Sequence, residues 1–201
     1  MPGKRLAQQS ENTFETVCDC ARALSVVGDR WTLLIMNELS MGVRKFEEIQ
    51  ANTGMSSHLL STRLQRMAQQ GLLERKPYSA RPVRHEYFAT SKGKELDPVI
   101  LALRAWSLKW DGTTPNKEPA FHMTHKKTGE LIDASWQIPK GVAFTFDDVN
   151  GTLSTAFEAE RQARRAAFYA GKQRTTSFEV VAPPRKRVLK KALSKAVTST
   201  R

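Results

Sequence analysis

The sequence predicts a mainly α-helical domain with a small β-hairpin, followed by an extension of short strands and a helix, and then by a basic tail. Apolar residues recur at three- and four-residue spacing in five segments between residues 18 and 110. The period changes to that of strands between residues 72 and 90. With 201 residues, of which 40% are hydrophobic, the chain can bury a core of ordinary proportions.

The first two predicted helices cover residues 18–27 and 30–39. Gly28 ends the first helix, and Asp29 is placed to cap the second. The apolar face of the first helix consists of Cys20, Ala21, Leu24 and Val27. The apolar face of the second consists of Trp31, Leu34, Ile35 and Leu39.

The next two helices have the outline of a helix-turn-helix. A short helix fits residues 45–52 and ends at Gly54, and Ser56 offers an N-cap to a longer helix over residues 57–70. Gly71 ends the longer helix. Its apolar positions share one face and are Leu60, Leu64, Met67 and Ala68. Two helices joined by a short turn that contains Gly are typical of this motif.

A hairpin and a long helix complete the predicted domain. Strands are expected over residues 72–78 and 83–90, with a basic loop at 79–82. Ser91 is placed to cap a helix that continues to about Trp110, in which Pro98 either causes a kink or belongs to the first turn. The apolar residues of this helix are too many for one face: Leu96, Val99, Ile100, Leu103, Trp106, Leu108 and Trp110. A partner subunit is the simplest second surface.

The pattern is weaker after Asp111. A linker is expected over residues 113–118, then strands over 121–124 and 131–137 joined by a turn at 126–129, and a helix over 156–170. We therefore divide the chain into four parts. They are an N-terminal arm (1–17), the helix-turn-helix domain (18–112), a C-terminal extension (113–182) and a basic tail (183–201).

The net charge of +12 makes nucleic acid the first class of partner to consider. Residues 1–112 carry 16 Lys and Arg against 12 Asp and Glu, a net +4, whereas residues 113–201 carry 16 against 8, a net +8. Seven basic residues and no acidic residue lie between Arg185 and Arg201. Such a segment is expected to stay solvated as a disordered tail and to attract phosphates without reading sequence.

Several classes of protein are not favoured by the sequence. No apolar run is long enough to span a bilayer and the first residues lack a signal-peptide core, so we expect a cytoplasmic protein. The only cysteines, Cys18 and Cys20, cannot build a disulfide framework or a four-cysteine zinc site. Phosphate-binding glycine loops and hydrolase or metalloprotease motifs do not occur, so we expect neither an enzyme nor a bound cofactor or metal.

The candidate DNA-contacting residues lie on the second helix of the motif and on the hairpin. Short polar side chains at a helix start can approach base edges in the major groove, and basic hairpin residues can reach phosphates. The candidates are Ser56, Ser57, His58, Ser61, Thr62 and Arg63 on the helix, and Lys76, Arg81 and Arg84 on the hairpin. Several have a purely structural alternative: Ser56 as a helix cap, His58 as plain surface, and Arg63 as the partner of Glu47 or Glu48. For Arg81 and Arg84 the alternative is a solvated turn without a role in binding.

Three segments together resemble the HxlR-type winged helix-turn-helix family of bacterial, MarR-like transcription regulators. They are CDCARALSVVGDRWTLLIMNEL, RKFEEIQANTGMSSHLLSTRLQRMAQQGLLERKPY and RPVRHEYFATSKGKELDPVILALRAW. The resemblance covers residues 18–110 and implies a homodimer, joined by the first and last helices of the domain, on a two-fold symmetric DNA operator. It implies that the helix candidates belong to the recognition helix and that Arg81 and Arg84 make the wing contacts, with Tyr78 nearby. Many members have Pro or Arg where this chain has Ser57 and His58, so the operator sequence does not follow from the resemblance.

The resemblance also raises two questions outside the DNA-contacting residues. Cys18 stands where several members carry a cysteine that senses electrophiles or oxidants; the helix dipole favours its thiolate, and Asp19 opposes this effect. The alternative is that both cysteines are small apolar residues on the dimer helix. Some members continue into a zinc-binding segment, but residues 121–139 contain no cysteine, and His122 and His125 are too few ligands.

Three hypotheses of function follow. The first is a sequence-specific DNA-binding regulator, and the second is a regulator switched by thiol chemistry at Cys18. The third is a regulator that responds to a small molecule bound between the dimer helix and the extension. Trp106, Trp110 and Trp136 could line such a site, or could serve core packing alone.

Overall fold

The computed structural model describes residues 17–110 and 119–178, without the side chains of residues 174–178. The predicted arm up to residue 16, the predicted linker and the basic tail fall outside these residues, and the proposed division into domains stays a prediction. Residues 1–166 group into one compact unit and residues 167–201 into a second. The described part of the second unit is the end of a helix, in which the Phe168 and Tyr169 rings lie 5.2 Å apart.

Four helices begin the fold close to their predicted bounds. They are α1 (Asp19–Val27), α2 (Arg30–Ser40), α3 (Phe46–Thr53) and α4 (Ser57–Gln69). Asp29 caps α2 by accepting hydrogen bonds from the amides of Trp31 (3.0 Å) and Thr32 (3.1 Å). Gly54 follows α3 in the left-handed region at φ 70°, which explains why Gly ends this helix.

The buried face of α2 differs from the predicted one. Ile35, Met36 and Leu39 lie in the core, whereas Leu34, predicted to face inward, is 36% exposed. The buried face instead includes Thr32 and Glu38. Periodicity could not reveal this, because both residues are polar and are buried through specific partners.

The predicted hairpin is present as β1 (Leu73–Ala80) and β2 (Val83–Ala89). The strands pair antiparallel from Leu73 opposite Ala89 to Ala80 opposite Val83, with an irregularity between Pro77 and Ser79 that leaves Tyr78 out of the register. Strand β1 continues two residues beyond its predicted end, to Ala80, whereas β2 begins at Val83 as predicted, so the connection is only Arg81-Pro82. A bridge from Lys45 to Glu86 attaches the hairpin to the segment before α3.

The predicted long helix after the hairpin is two helices, α5 (Ser91–Lys94) and α6 (Asp97–Trp110). The residue that caps α5 is Thr90, whose Oγ1 accepts from the amide of Gly93 (3.1 Å), so the expectation that Ser91 is the cap was wrong. Pro98 is the second residue of α6 and thus belongs to its first turn.

The extension contains β3 (Phe121–His125), a short 3₁₀ turn at Phe146–Asp148, β4 (Val149–Leu153) and α7 (Thr155–Phe178). The prediction of β3 and of the following turn is confirmed, but β3 pairs with β4 and not with a strand at 131–137. Only Leu131 in that segment makes a bridge, to Thr124. Helix α7 begins one residue earlier than predicted and is longer.

Two apolar clusters form the core. The larger one lies between α2, α3, α4, the hairpin base and α6, with Ile35, Ile49, Leu60 and Met67 almost fully buried. The smaller one joins Leu101 of α6 to the extension residues Met123, Ile132 and Phe144. Phe146 packs against both clusters, so the extension is continuous with the helical core. Within the described ranges, no helix is long and apolar enough to cross a membrane.

Candidate nucleic-acid interface

Helix α4 is amphipathic, with one face buried in the core and a polar face exposed. Leu60, Leu64 and Met67 are at most 2% exposed and anchor the helix on the core. The side chains on the opposite side of its first turns are exposed, and they are Ser56, Ser57, His58, Ser61 and Thr62. The structure therefore places five of the six helix candidates at one accessible surface, of a size and polarity suited to base edges.

Two of these residues also have local structural roles. The Ser56 hydroxyl accepts a hydrogen bond from the amide of Leu59 (3.3 Å) and caps α4. The Thr62 hydroxyl donates to the carbonyl of His58 (3.0 Å), within the helix. Gln65 continues the same exposed face one turn later and was not among the candidates, although its spacing from Ser61 could have indicated it.

Arg63 lies apart from the exposed face. Its Nη1 donates to Oδ2 of Asp29 at 3.0 Å, and its side chain is only 18% exposed. The structural alternative had named Glu47 or Glu48 as its partner, but the observed pair is with Asp29. Arg63 thus ties α4 to the cap of α2.

The hairpin carries exposed cations near its tip. Arg81 and Arg84 are both exposed, and Tyr78, 44% exposed, lies beside them at the strand irregularity. Lys76 is also exposed but forms an ion pair with Glu74 at 2.7 Å, and its Nζ lies 4.9 Å from the centre of the Phe88 ring. Arg81 and Arg84 are therefore the better placed of the three for phosphate contact.

Two basic residues at the base of the hairpin were not predicted. The Lys45 ammonium lies 5.7 Å from the centre of the Tyr78 ring and is exposed. Arg44 stacks its guanidinium 5.3 Å from the Phe88 ring centre and donates to the carbonyl of Leu39. Burial lowers the pKa of Arg44, an effect that the nearby carboxylates of Asp147 and Glu86 oppose. The Arg-Lys pair directly before α3 was the available sequence signal.

Burial also acts on a titratable group of the hairpin strand β2, Tyr87. It raises the pKa of the Tyr87 hydroxyl, although the charge of Arg75 opposes the shift. A cavity of about 90 Å³ lies next to Arg44, between the hairpin and the extension, and Phe88, Asp97 and Phe146 are among its lining residues.

The three tryptophans proposed as a small-molecule site have separate surroundings. Trp136 packs in the smaller core, with its ring 5.7 Å from that of Phe144 and 6.0 Å from that of His125. Trp106 and Trp110 on α6 are 65% and 64% exposed. For Trp136 the structural alternative, core packing, describes what is observed.

Helices α1 and α6 leave apolar side chains exposed. The largest of these are Leu24 on α1 and Val99, Leu103, Trp106, Leu108 and Trp110 on α6. Contiguous exposed apolar side chains are a common feature of protein–protein interfaces.

Cys18 is the N-cap residue of α1, and both Cys18 and Cys20 are exposed thiols outside any disulfide. His125 is buried, with its Nδ1 3.1 Å from the Thr128 hydroxyl. In the part of the chain that the structure describes, no three His, Cys, Asp or Glu side chains are grouped to hold a metal ion.

Comparison with known proteins gives concordant matches. The model of the HxlR-like helix-turn-helix family matches residues 26–114. Rv3095 of Mycobacterium tuberculosis, an uncharacterized HTH-type transcriptional regulator, is 42% identical over 113 residues, which are 56% of this chain and 70% of Rv3095. YvaP of Bacillus subtilis, with the same description, is 34% identical over 44% of this chain and 83% of its own length.

A solved structure extends the likeness beyond the helix-turn-helix domain. The crystal structure of PA1607, a candidate transcription factor, is similar with a TM-score of 0.54 at 25% identity, over 71% of this chain and 93% of PA1607. Residues 1–114 are only 114 of the 201, so a match of this extent includes part of the C-terminal extension.

Proposed function

Because this chain belongs to the HxlR-like helix-turn-helix family of transcriptional regulators, we propose that it binds a specific DNA operator as a homodimer and so controls transcription. The observation that supports sequence reading most directly is the exposed polar face at the start of α4. In helix-turn-helix proteins the N-terminal residues of this helix contact base edges in the major groove. The hairpin cations would then hold the DNA backbone, which fixes position without specifying sequence. The proposed role is binding in the cytoplasm on chromosomal DNA, with no catalytic step.

The test is selection of bound fragments from random DNA at a fixed salt concentration. We expect a symmetric site, and we expect His58→Ala and Ser61→Ala to change the selected bases or to weaken operator binding by about ten-fold, the effect of one lost base contact. Gln69→Ala, at the exposed far end of the same helix, is the matched control and should leave the site unchanged. Recovery of no symmetric site would contradict the proposal.

The homodimer is supported by the apolar side chains that α1 and α6 expose. Burying them against a second copy would remove apolar area from water on both protomers. We expect Leu103→Glu combined with Trp106→Glu to give a monomer in sedimentation velocity. Leu131→Glu, which changes an exposed leucine of the extension, should remain dimeric.

The thiol-switch hypothesis is kept as a second candidate because the Cys18 thiol is exposed at the N-terminus of α1, on the proposed dimer surface. Oxidation could then alter the dimer and its DNA binding. Gel shifts of wild type and Cys18→Ala after mild oxidant test it: loss of binding only in wild type supports the switch, and identical responses exclude it.

A further inference from the structure

Helix α7 meets the helix-turn-helix through a buried ion pair. Arg161 of α7 donates from Nη1 to Oε1 of Glu38 and from Nη2 to Oε2, both at 2.8 Å. Arg161 is 7% exposed and Glu38 of α2 is 3% exposed. Two parallel hydrogen bonds of this kind fix the relative orientation of the two side chains.

Asn52 extends this contact to α3. Its Nδ2 donates to Oε2 of Glu38 at 2.7 Å, and its Oδ1 accepts from Nε of Arg165 at 2.9 Å. Its main-chain carbonyl accepts from Nη1 of Arg164 at 3.0 Å. Glu38, Asn52 (4% exposed) and Arg161 form the buried centre of a polar network that joins α2 and α3 to α7. At its edge Arg165 is half-buried, and Arg164 is exposed and also pairs with Glu160.

Asn52 places the network at the end of α3 that precedes the turn to α4. Asn52 lies in the last turn of α3, where carbonyl groups lack a partner within the helix, and Arg164 supplies one. Two residues later Gly54 begins the turn, and Ser56 caps α4. The network therefore holds the end of α3 from which the turn directs the DNA-facing helix.

The burial of the ion pair favours a positioning role over a stabilising one. Removing charges from water costs about as much as their attraction returns, so a buried pair adds little net stability, although breaking it by removing one partner is costly. What such a pair does provide is a defined geometry. The bidentate pair adds geometric specificity to the contact between α7 and α2.

We infer that α7 is a clamp on the helix-turn-helix, which means that it holds the end of α3 in a fixed position on α2. Arg161, Arg164 and Arg165 are then positioning residues for operator recognition. All three lie outside residues 26–114, the segment that the family model matches. The clamp rests on the proposed function for its effect on DNA. Its effect on α3 can be measured without DNA.

The first variant is Arg164→Ala combined with Arg165→Ala, which removes both contacts to Asn52 and leaves the Arg161–Glu38 pair. Lys127→Ala combined with Lys140→Ala is the control, because it removes two exposed positive charges from the extension. Hydrogen exchange of the amides of residues 46–56 is measured without DNA. Affinity is measured for the selected operator and for random DNA of the same length.

We expect the arginine variant to exchange faster at residues 46–56 and to lose about ten-fold in the ratio of operator affinity to random affinity, a typical coupling within one polar network. The control should leave both the ratio of the two affinities and the exchange unchanged. Unchanged exchange in the arginine variant, or an equal loss of both affinities, overturns the clamp. If wild type itself selects no operator, the proposed function fails, whereas the exchange result still decides the clamp.

A second variant separates positioning from folding. Glu38→Gln combined with Arg161→Met removes the ion pair and keeps a side-chain oxygen at position 38 that can accept from Nδ2 of Asn52. We expect a cooperative thermal transition together with a reduced ratio of operator to random affinity. A folded double variant that keeps the wild-type ratio would show that Arg161 positions nothing.

Discussion

At the residue scale, Asp29 joins two elements of the DNA-binding unit. One carboxylate oxygen accepts from two amides at the start of α2, and the other accepts from the Thr32 hydroxyl at 2.6 Å and from Arg63 at 3.0 Å. The cap was predictable from the sequence because Asp before an apolar helical period is a helix-start signal. The partner Arg63 was not, since the two residues are 34 positions apart and meet only when α4 packs on the core.

We expect Asp29→Ala to lower the free energy of unfolding by about 1–2 kcal/mol, because it removes the cap of α2 and leaves Arg63 without this partner. Asp29→Asn keeps an oxygen for the cap and removes the charge, so its loss should be smaller. Urea denaturation measures both. Equal stability of Asp29→Ala and wild type would contradict the role of the cap.

A second residue-scale case is Asp97 at the start of α6. It is 4% exposed, and its Oδ2 accepts from the amide of Phe146 at 2.9 Å. Burial raises its pKa above 3.8, and the charge of Asp147 adds to this, whereas the hydrogen bond from Phe146 and the charge of Lys94 oppose it. The protonated form is therefore favoured by folding. Its contribution to stability is complete below pH 3.8 and is lost as the pH rises through the raised pKa.

We expect Asp97→Asn to equal wild type in stability near pH 4 and to gain on it as the pH rises toward 7, because the amide oxygen can still accept from Phe146 without a buried charge. Urea denaturation at several pH values measures the difference between the two proteins. A difference that does not change with pH would contradict the assignment.

At the element scale, the hairpin is proposed to contact the DNA backbone and α4 to read the base sequence. The hairpin tip presents Arg81 and Arg84, whereas Lys76 is engaged with Glu74. The existence of both elements was predictable, because apolar periodicity and turn residues are local signals, although β1 ends two residues later than predicted. The strand irregularity at Tyr78 and the bridge from Lys45 to Glu86 were not predictable, because they depend on contacts between segments.

We expect Arg81→Ala combined with Arg84→Ala to weaken binding to operator and random DNA alike. Each lost phosphate contact should reduce the slope of log affinity against log salt by about 1. Fluorescence anisotropy at several salt concentrations measures the slope, with Lys127→Ala as the control. A slope equal to that of wild type would show that these residues do not touch phosphate.

At the scale of the whole molecule, the charge is distributed unevenly, with a net +4 on residues 1–112 and +8 on residues 113–201. The greater part of the excess thus belongs to the extension and tail. Three of its arginines, Arg161, Arg164 and Arg165, are engaged with the helix-turn-helix. Because these arginines already have partners in the fold, the tail is the main candidate for general attraction of phosphates.

We expect deletion of residues 185–201 to lower the affinity for operator and for random DNA by the same factor and to reduce the salt dependence of both, since the segment carries seven basic residues and no acidic residue. Titrations of the two DNAs with full-length and shortened protein measure this. A loss confined to the operator would mean that the tail reads bases.

The helix-turn-helix, the hairpin and the polar start of α4 follow from the amino-acid order alone, because helix caps, turn glycines and apolar periods act between residues close in the chain. The strand pairing in the extension, the partner of Arg63 and the burial of Glu38 with Arg161 follow only from how distant segments pack together. The physical reason is that a polar residue becomes buried only where a partner from a distant segment satisfies it. Glu38 meets an arginine 123 positions away, and no local pattern specifies that meeting.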